Sequence, residues 1–544
     1  MNKFISCLSV LLCLLVPAAQ GQLSKYYISA PTDLKEAGMN KVLCMKSGNT
    51  MLFHFEPVKP LTVKIYDTLH KEIATQQQLC HVLDVNVFDR SVFKGLYDIN
   101  GEAVLFVEQT HANKRVLVRV RFNSETGNII NETVLAESTG TLRPAAFYIM
   151  KDKAGGGYSL FYFTDDPEFK KCTAYVEFFN NKHESQKKVA LEFDRKAYDY
   201  TKVVGAESQP NGNCITLEMA KLVTSGTVRS AGNSTKEVYD RFVTVFYIPE
   251  NTTVVRQKTI DLSTETFPYC ASYTYNPFAQ TLNLLLFNYK EMFQQSLYSE
   301  VPDRFGASLL LNLDESDMTL KHNWIKNQAA NDYYRQHTDT TQLYEGVPIK
   351  MFTNENGLST IISQGSSQFH NVRKYECYFG KICITQCDDE GKELWGVVLP
   401  GGQYISSSKR YYSARQLADW WQHQAMFDDL APEVYNRQFL SLNTYSYKNN
   451  CYIIYNDYDK NFNNSITHPG DTVYTFDNTN AFVYKLNKKK EVTKSYLFGE
   501  PVPGEYNTSF IESADFDEQK GTYVTLLRCR KNNETTLCMA WCQL

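Results

Sequence analysis

The sequence has 544 residues, with 56 Lys and Arg against 60 Asp and Glu, so its formal net charge at pH 7 is −4. This mixed charge, without a basic stripe, argues against nucleic acid as a partner. Beyond residues 1–21, no segment approaches the ~18 consecutive apolar residues of a membrane span, so the sequence predicts no transmembrane helix.

The N-terminal stretch, residues 1–21, has the features of a cleaved export signal. Lys3 gives a positive start, residues 4–16 form an apolar run too short to span a bilayer, and Ala19-Gln20-Gly21 is a small-residue cleavage site. A retained membrane anchor is the alternative interpretation. With cleavage, the mature chain is residues 22–544. We predict that it is a single domain in the periplasm or outside the cell.

Seven hairpins of one kind follow along the mature chain. Each has an apolar strand, a short polar turn that often contains Asp, Asn or Gly, and a returning strand. Their first strands begin at Leu61, Val116, Thr173, Phe242, Leu309, Lys381 and Ala481.

A strongly apolar strand precedes each hairpin, and one more copy lies near the C-terminus. The copies begin at Met51, Ala103, Tyr158, Cys214, Thr281, Leu358, Cys451 and Thr522. Self-similarity at a spacing of roughly 50 to 90 residues indicates an array of supersecondary units. Four strands per unit, without helical periodicity between them, predict the blades of a β-propeller.

The count of eight apolar strands against seven hairpins indicates how the chain closes. The last apolar strand, from Thr522, is followed only by Thr536–Cys542, so its blade lacks an outer strand. Tyr26–Ser29 is a short apolar strand without a blade of its own. We therefore predict an all-β fold, an eight-bladed propeller of four-stranded antiparallel blades, in which Tyr26–Ser29 completes the last blade and removes an open edge. Seven blades, or two tandem sandwiches, are the alternatives.

Residues 401–437 interrupt the repeat and are predicted to contain a helix, with Ser413 as its N-cap and Pro432 as its stop. Trp420 falls outside the apolar face of that helix, which makes it a candidate ligand contact at one mouth of the propeller. The more common alternative is that Trp420 packs on a neighbouring blade edge. The candidate ligand-binding residues, all aromatic and all outside the repeat, are Trp420, Tyr333, Tyr334, Tyr411 and Tyr412.

Two of the 14 cysteines lie in residues 1–21, which leaves an even number in the mature chain. An even number in an exported protein is compatible with disulfides. A tight turn at Asn533-Glu534 would place Cys529 opposite Cys538, so this pair is the disulfide candidate, with buried free thiols as the alternative. The sequence has no CxxC pair and its ten His are scattered, so we predict no zinc site and no cofactor.

The stretch Cys387–Trp395, CDDEGKELW, resembles turn motifs of two propeller families. It is similar to the Asp-box of sialidase-like propellers, although Trp395 lies one position late and Cys387 replaces Ser. Gly391-Lys392-Glu393-Leu394-Trp395 is similar to the blade motif of quinoprotein-like propellers, which repeats in most of their blades but occurs once here. Both motifs are structural turns, so the resemblance implies a propeller and has little bearing on activity.

Over its whole length the chain resembles uncharacterised exported propeller-like proteins of Bacteroidota-type bacteria. The shared features are the export signal, strands rich in Tyr, Asn and Lys, and turns of the DxxGK type. This resemblance implies a role in the cell envelope or outside the cell.

The sequence leaves two functions open. It contains no GxSxG, no HExxH, no P-loop and no GxGxxG after a strand. The first function is an exported binding or scaffold module that recognises a glycan or protein ligand through loops between blades. The second is a propeller glycoside hydrolase or lyase with carboxylates in its central channel, contributed by different blades. A signalling or sensor domain released from its usual partner is a further alternative, and the sequence does not decide whether the protein is an enzyme.

Overall fold

The computed structural model describes residues 25–56, 58–111, 114–138, 147–153, 156–164, 174–192, 197–198, 200–227, 235–261, 267–289, 308–339, 344, 346–371, 374–407 and 437–544. Its strands form eight sheets, each built on four antiparallel strands. The fold is an eight-bladed β-propeller, which confirms the predicted fold class.

The strands follow one another around the blades in chain order after β1 (Tyr26–Thr32), which belongs to the last blade. Blade 1 contains β2 (Met39–Cys44), β3 (Thr50–Phe55), β4 (Leu61–Tyr66) and β5 (Glu72–Gln78), and blade 2 contains β6 (Val92–Ile99), β7 (Glu102–His111), β8 (Lys114–Asn123) and β9 (Ile129–Ser138). Blade 3 contains β10 (Phe147–Lys151), β11 (Tyr158–Phe163), β12 (Ala174–Phe179) and β13 (Ser185–Leu191), and blade 4 contains β14 (Tyr200–Gln209), β15 (Gly212–Thr227), β16 (Thr235–Pro249) and β17 (Arg256–Asp261).

Blade 5 contains β18 (Phe267–Asn276), β19 (Thr281–Tyr289), β20 (Ser308–Asp314) and β21 (Leu320–Ile325), and blade 6 contains β22 (Val347–Thr353), β23 (Ser359–Asn371), β24 (Lys374–Cys387), β25 (Glu393–Leu399) and the added β26 (Gln403–Ser407). Blade 7 contains β27 (Leu442–Tyr447), β28 (Asn450–Asp457), β29 (Asn480–Leu486) and β30 (Val492–Tyr496), and blade 8 contains β31 (Tyr506–Ser509), β32 (Asp515–Asp517), β33 (Thr522–Lys531), β34 (Glu534–Gln543) and β1. Helix α1 (Gln328–His337) joins blades 5 and 6, and single 3₁₀ turns cover Val85–Arg90, Arg437–Phe439, Asp459–Asn461 and Ile511–Ser513.

The chain divides into two compact units. The six-blade unit, residues 35–437 and 464–474, holds blades 1 to 6. The two-blade unit, residues 1–34, 438–463 and 475–544, holds blades 7 and 8. The predicted signal peptide, residues 1–21, lies outside the described residues, and the single-domain boundary at 22–544 stays a prediction.

The core of the six-blade unit lies between the faces of neighbouring blades. The second strands are the most buried, since every side chain of β3 is buried, whereas the fourth strand β5 alternates between exposed and half-buried positions. Neighbouring blades meet through apolar side chains such as Phe53 and Phe122, whose rings contact edge to face at 5.2 Å. The first strands of successive blades pack beside one another. They are therefore the inner strands of this unit.

The two-blade unit confirms the predicted closure. β1 pairs antiparallel with β34, with Tyr26 opposite Cys542 and Ile28 opposite Ala540. Blade 8 thus has the strand order β31, β33, β34, β1, and the N-terminal strand covers an edge of β34 that would otherwise be exposed.

The turn between the third and fourth strands has one design in six blades. Its first residue is Asp or Asn, and this side chain accepts hydrogen bonds from backbone N–H groups two to four residues later. The six residues are Asp67, Asn123, Asn180, Asp314, Asp388 and Asn487. Such turns explain why the repeated hairpins could be recognised from the sequence.

Two interruptions of the repeat are partly described. Gln403–Ser407, at the start of the predicted helical insertion 401–437, forms β26 and pairs with β24. Residues 408–436, including the predicted helix, lie outside the described residues. The link Asn327–Gly346 contains helix α1, which the sequence analysis did not predict. In the described residues, no helix is long and apolar enough to cross a membrane.

Candidate functional site

The two ends of the blades in the six-blade unit differ in their connections. We call one the short-turn end, because turns between first and second strands, and between third and fourth strands, have no more than six residues there. The other is the long-connection end. It carries the connections from second to third strands and from one blade to the next, such as 290–307 and 326–346. Long connections on a rigid scaffold are where binding surfaces usually form.

Two blades also extend their strands at the long-connection end. β15 and β16 continue to pair beyond the reach of β14 and β17, from Lys221 opposite Asp240 to Thr227 opposite Thr235. β23 and β24 do the same in blade 6, and β26 adds a third strand to that extension. The structural additions therefore concentrate at this end of the unit.

Four inner strands carry a β-bulge at the same place relative to the following turn. The bulged residues, which have no direct partner on the second strand, are Lys94, Val204, Ala271 and Ile349. A bulge redirects a side chain out of the regular alternation, and bulges often lie beside active sites. Three of these positions are apolar and only Lys94 is charged, so blade 2 departs from the repeat at this point.

Lys94 lies in a buried group of charges that we call the bulge site. Its Nζ is 2.9 Å from Glu108 Oε2, and Arg115 Nη1 is 3.4 Å from Glu108 Oε1. The Lys94 and Glu108 side chains are only 4% and 5% exposed. The Lys94 ammonium also lies 5.4 Å over the ring of Tyr148, on the next inner strand. The bulge site therefore joins blades 2 and 3 through buried charges.

Burial lowers the pKa of Lys94, and the Glu108 carboxylate only partly offsets this effect. The two groups lie within ion-pair distance, yet Lys94 Nζ and Glu108 Oε2 make no hydrogen bond of good geometry. Buried charges are costly unless they are fully hydrogen-bonded, and a lysine with a lowered pKa can act as a base or a nucleophile. The bulge site is thus a candidate functional group rather than an evident stabilising pair.

A second polar group lies at the long-connection end of blade 1. His54 Nδ1 is 2.8 Å from Asn40 Oδ1, and His54 Nε2 is 3.0 Å from Glu56 Oε1. Burial acts to raise the pKa of Glu56, but hydrogen bonds from Lys59 and His54 outweigh it, so the net shift is downward. Glu56 is therefore held as a carboxylate, which suits ligand binding better than proton donation.

Tyrosines form a surface patch beside the blade 6 extension. Tyr378 and Tyr404 are opposite each other on β24 and β26, and the ring of Tyr404 lies 5.2 Å from that of Tyr474. Tyr474 is 60% exposed. The backbone is closely packed here because Val473 N donates to Gly402 O at 2.8 Å, and a Cβ on Gly402 would lie 3.2 Å from Tyr378 Oη. We call Tyr378, Tyr404 and Tyr474 the tyrosine patch.

The predicted ligand-binding tyrosines of the link fall on helix α1. Tyr334 is 9% exposed and packs with Ala330 and Cys383. Tyr333 stacks on His337 with ring centroids 4.1 Å apart. Trp420, Tyr411 and Tyr412 lie outside the described residues. The role of all five in binding stays a prediction.

The predicted disulfide pair lies diagonally across β33 and β34. The two-residue turn is Asn532-Asn533, one residue earlier than predicted, so Cys529 is opposite Thr536 and Cys538 is opposite Leu527. The two thiols are free and hydrogen-bond to each other. That hydrogen bond is the main cause of a raised pKa at Cys529 and a lowered pKa at Cys538. Their oxidation to a disulfide stays a prediction.

Neither the bulge site nor the tyrosine patch was predicted from the sequence. Lys94 gives one weak signal, since the pair Lys94-Gly95 corresponds to Val204-Gly205 when the blades are aligned on their first turns. The residues of both sites come from strands far apart in sequence. Within the described residues, no group of three or more His, Cys, Asp or Glu could hold a metal ion.

The chain matches no protein-family model. It also has no match among curated proteins. Solved structures that resemble it include a protein from Lactobacillus plantarum, with 8% identity over 84% of this chain and 95% of that chain at a TM-score of 0.33. A post-proline cleaving enzyme from Rickettsia typhi matches with 10% identity, 92% and 58% coverage and a TM-score of 0.36. An apocarotenoid oxygenase from Synechocystis matches with 11% identity, 71% and 95% coverage and a TM-score of 0.30. Similarity at this level says nothing about activity.

Proposed function

We propose that the protein is an exported binding module that takes a glycan at the long-connection end of its six-blade unit. The observation that supports this best is the concentration of additions there: extended strands in blades 4 and 6, the extra strand β26 and helix α1. The opposite end has only short turns. Export rests on the predicted signal peptide at residues 1–21.

The tyrosine patch favours a glycan over an extended protein surface. Tyrosine presents a flat apolar ring with a polar hydroxyl, which suits the mixed apolar and hydroxyl faces of a sugar. Tyr404 and Tyr474 lie side by side, and Tyr474 is largely exposed. Trp420, in the insertion that follows β26, would add a further aromatic contact.

The test uses a glycan array with neutral and uronate-containing oligosaccharides. Tyr474→Ala is expected to lower the bound signal roughly 10-fold, which corresponds to one aromatic contact of about 1.4 kcal/mol. The matched control is Phe278→Ala, because Phe278 is 64% exposed but lies in a turn at the short-turn end. Trp420→Ala tests the sequence prediction in the same assay.

An equal signal for Tyr474→Ala and Phe278→Ala would reject the tyrosine patch as the contact. If the wild-type protein binds no glycan on the array but is retained by a protein ligand, the ligand class is protein and the glycan proposal is rejected.

One observation favours a lyase as the second candidate function. A lyase needs a base to remove a proton from a uronate sugar, and the lowered pKa of Lys94 suits that role. Arg115, beside the same carboxylate, could hold the uronate charge. An unsaturated uronate product, detected by its ultraviolet absorbance and lost in Lys94→Met, would support the lyase over the binding module.

A further inference from the structure

The short-turn end of blades 2 and 3 contains a largely buried group of charged and polar residues that the proposed function does not use. We call it the arginine–histidine cluster. Its members are Glu102 on β7, Arg119 and Arg121 on β8, Tyr158 on β11, and His183 in the turn from β12 to β13.

Arg121 and Glu102 form a complete ion pair in this cluster. Arg121 Nε donates to Glu102 Oε2 at 2.6 Å, and Arg121 Nη2 donates to Glu102 Oε1 at 2.8 Å. These hydrogen bonds from Arg121 are the main reason that the pKa of Glu102 is lowered. Because this bidentate contact engages both oxygens of Glu102, the carboxylate mainly neutralises Arg121.

Arg119 is a second buried guanidinium, 7% exposed, and no carboxylate is among its contacts in the described residues. Its Nη1 donates to Tyr158 Oη at 2.7 Å and to the His183 carbonyl at 3.3 Å. Its Nε is buried without a hydrogen-bond partner there. A guanidinium keeps its charge in proteins, so burial without a counter-charge is costly.

His183, in the turn between β12 and β13, is the last member of the cluster. It has a left-handed backbone conformation, φ +66°, in the turn after Asn180, and its side chain is only 2% exposed. Nε2 lies 3.4 Å from Glu102 Oε2, a weak contact, and neither ring nitrogen makes a hydrogen bond of good geometry in the described residues. Burial, followed by the charges of Arg119 and Arg121, lowers the pKa of His183 to about 4. The neutral ring therefore keeps one N–H donor available.

We propose that the arginine–histidine cluster is a binding site for an oxyanion, a carboxylate, sulfate or phosphate group. The anion would accept hydrogen bonds from Arg119 Nε and from the His183 ring, and it would supply the counter-charge that Arg119 lacks. The Glu102 and Arg121 side chains are 23% and 22% exposed, so the cluster reaches the surface on their side. The site lies at the opposite end of the blades from the tyrosine patch and does not depend on glycan binding there.

The test is titration of the full-length mature protein with four sodium salts at constant ionic strength, followed by thermal unfolding and calorimetry. The salts are sulfate and phosphate, which are tetrahedral, and acetate and glucuronate, which are planar carboxylates. Saturable binding of either class supports the proposal and identifies the preferred oxyanion. Arg119→Met is expected to weaken that binding about 10-fold or more, because it removes a charge-assisted donor.

Two further variants keep the result interpretable. His183→Asn retains a residue that tolerates the left-handed turn, and it should weaken binding by a smaller factor. Arg335→Met removes an exposed arginine from α1 of the same unit and should leave binding unchanged. If Arg119→Met does not fold, Arg119→Lys keeps the charge, lacks the Nε–H donor and should still weaken binding. The absence of saturable binding by any of the four salts, or saturable binding that Arg119→Met or Arg119→Lys retains in full, would overturn the site.

Discussion

Lys494 and Lys94 are both buried lysines that face a carboxylate, yet their surroundings differ. Lys494, on β30 of the two-blade unit, lies 3.6 Å from Asp457 Oδ2 and donates to the Asn461 carbonyl at 2.7 Å. Asp457 in turn accepts from Tyr458 N at 2.8 Å and from Asn461 Nδ2 at 2.6 Å. The Lys494–Asp457 pair therefore stabilises the 3₁₀ turn that follows β28.

Aromatic rings around the Lys494 ammonium also indicate that this lysine stabilises the fold. Its ammonium lies 4.8 to 5.6 Å from the ring centres of Tyr455, Phe482 and Tyr484. Burial lowers the pKa of Lys494 to about 8 in spite of Asp457. The pKa of Lys94 is also lowered by burial, and Lys94 lies nearer its carboxylate, but its ammonium makes no hydrogen bond of good geometry in the described residues and it occupies a bulge. A lowered lysine pKa therefore does not separate structure from function. The two sites differ in the ammonium itself, which donates to a backbone carbonyl at Lys494 but has no hydrogen-bond partner of good geometry at Lys94 in the described residues.

The largest expected effect is that of Lys494→Met on stability. The variant leaves Asp457 buried without its cation and should lower the free energy of unfolding in urea by about 3 kcal/mol. The double variant with Asp457→Asn should recover most of the loss. Lys485→Met, on the neighbouring strand β29, is the control and should change stability by less than about 0.5 kcal/mol. A loss below about 1 kcal/mol for Lys494→Met would show that this pair is not structural.

Lys94→Met should have a smaller effect, a loss of about 1–2 kcal/mol, because Arg115 still faces Glu108 in the variant. The measurement is the same urea titration, and Lys151→Met, on the inner strand of blade 3, serves as the control. If Lys94→Met lowers the free energy of unfolding as much as Lys494→Met does, the bulge site is a second stabilising ion pair. That result would also remove the main reason to consider the site functional.

The fold could be predicted because the turns and apolar strands act locally. In the recurring turn the third or fourth residue after the Asp or Asn adopts a left-handed conformation. This residue is glycine at Gly127 and Gly391 but His70, His183, Met318 and Lys490 elsewhere. The side chain of the first residue fixes the turn, so glycine is optional. This explains why the GKxxW motif occurs once although the same turn recurs in six blades.

The sites could not be predicted because they depend on pairing between distant strands. Lys94 and Glu108 meet through the bulge of β6, and Arg119 meets His183 across two blades. Neither bulge position nor blade contact follows from periodicity, which gives only the face on which a side chain lies. The closing strand β1 could be predicted because the number of strands left the last blade one short, and this count required no knowledge of contacts between distant strands.

The smallest expected effect concerns His183, a third basic side chain beside a carboxylate, whose ring is neutral in the folded protein above about pH 4. Glu102, Arg119, Arg121 and Tyr158 face its ring, and Lys182 and Glu184 flank it in the turn. Its pKa is about 4 in the folded protein and about 6.5 in the unfolded chain, so only the unfolded chain takes up the proton between these values. The contribution of His183 to stability should therefore fall as pH falls from about 6.5 to about 4, and this contribution should be constant above that window.

The contribution of His183 is measured as the difference between wild type and His183→Asn in urea titrations at pH 7, 5.5 and 4.5. Apart from Glu102, whose pKa His183 helps to lower, the ionisable groups of the two proteins are the same, so the difference reports mainly on the ring and its contact with Glu102. We expect the wild type to lose on the order of 1 kcal/mol more than the variant between the first and last pH, after allowance for solvent screening. A larger loss in the variant would mean that His183 is charged in the folded protein. In that case Glu102, rather than the arginines, would dominate its surroundings.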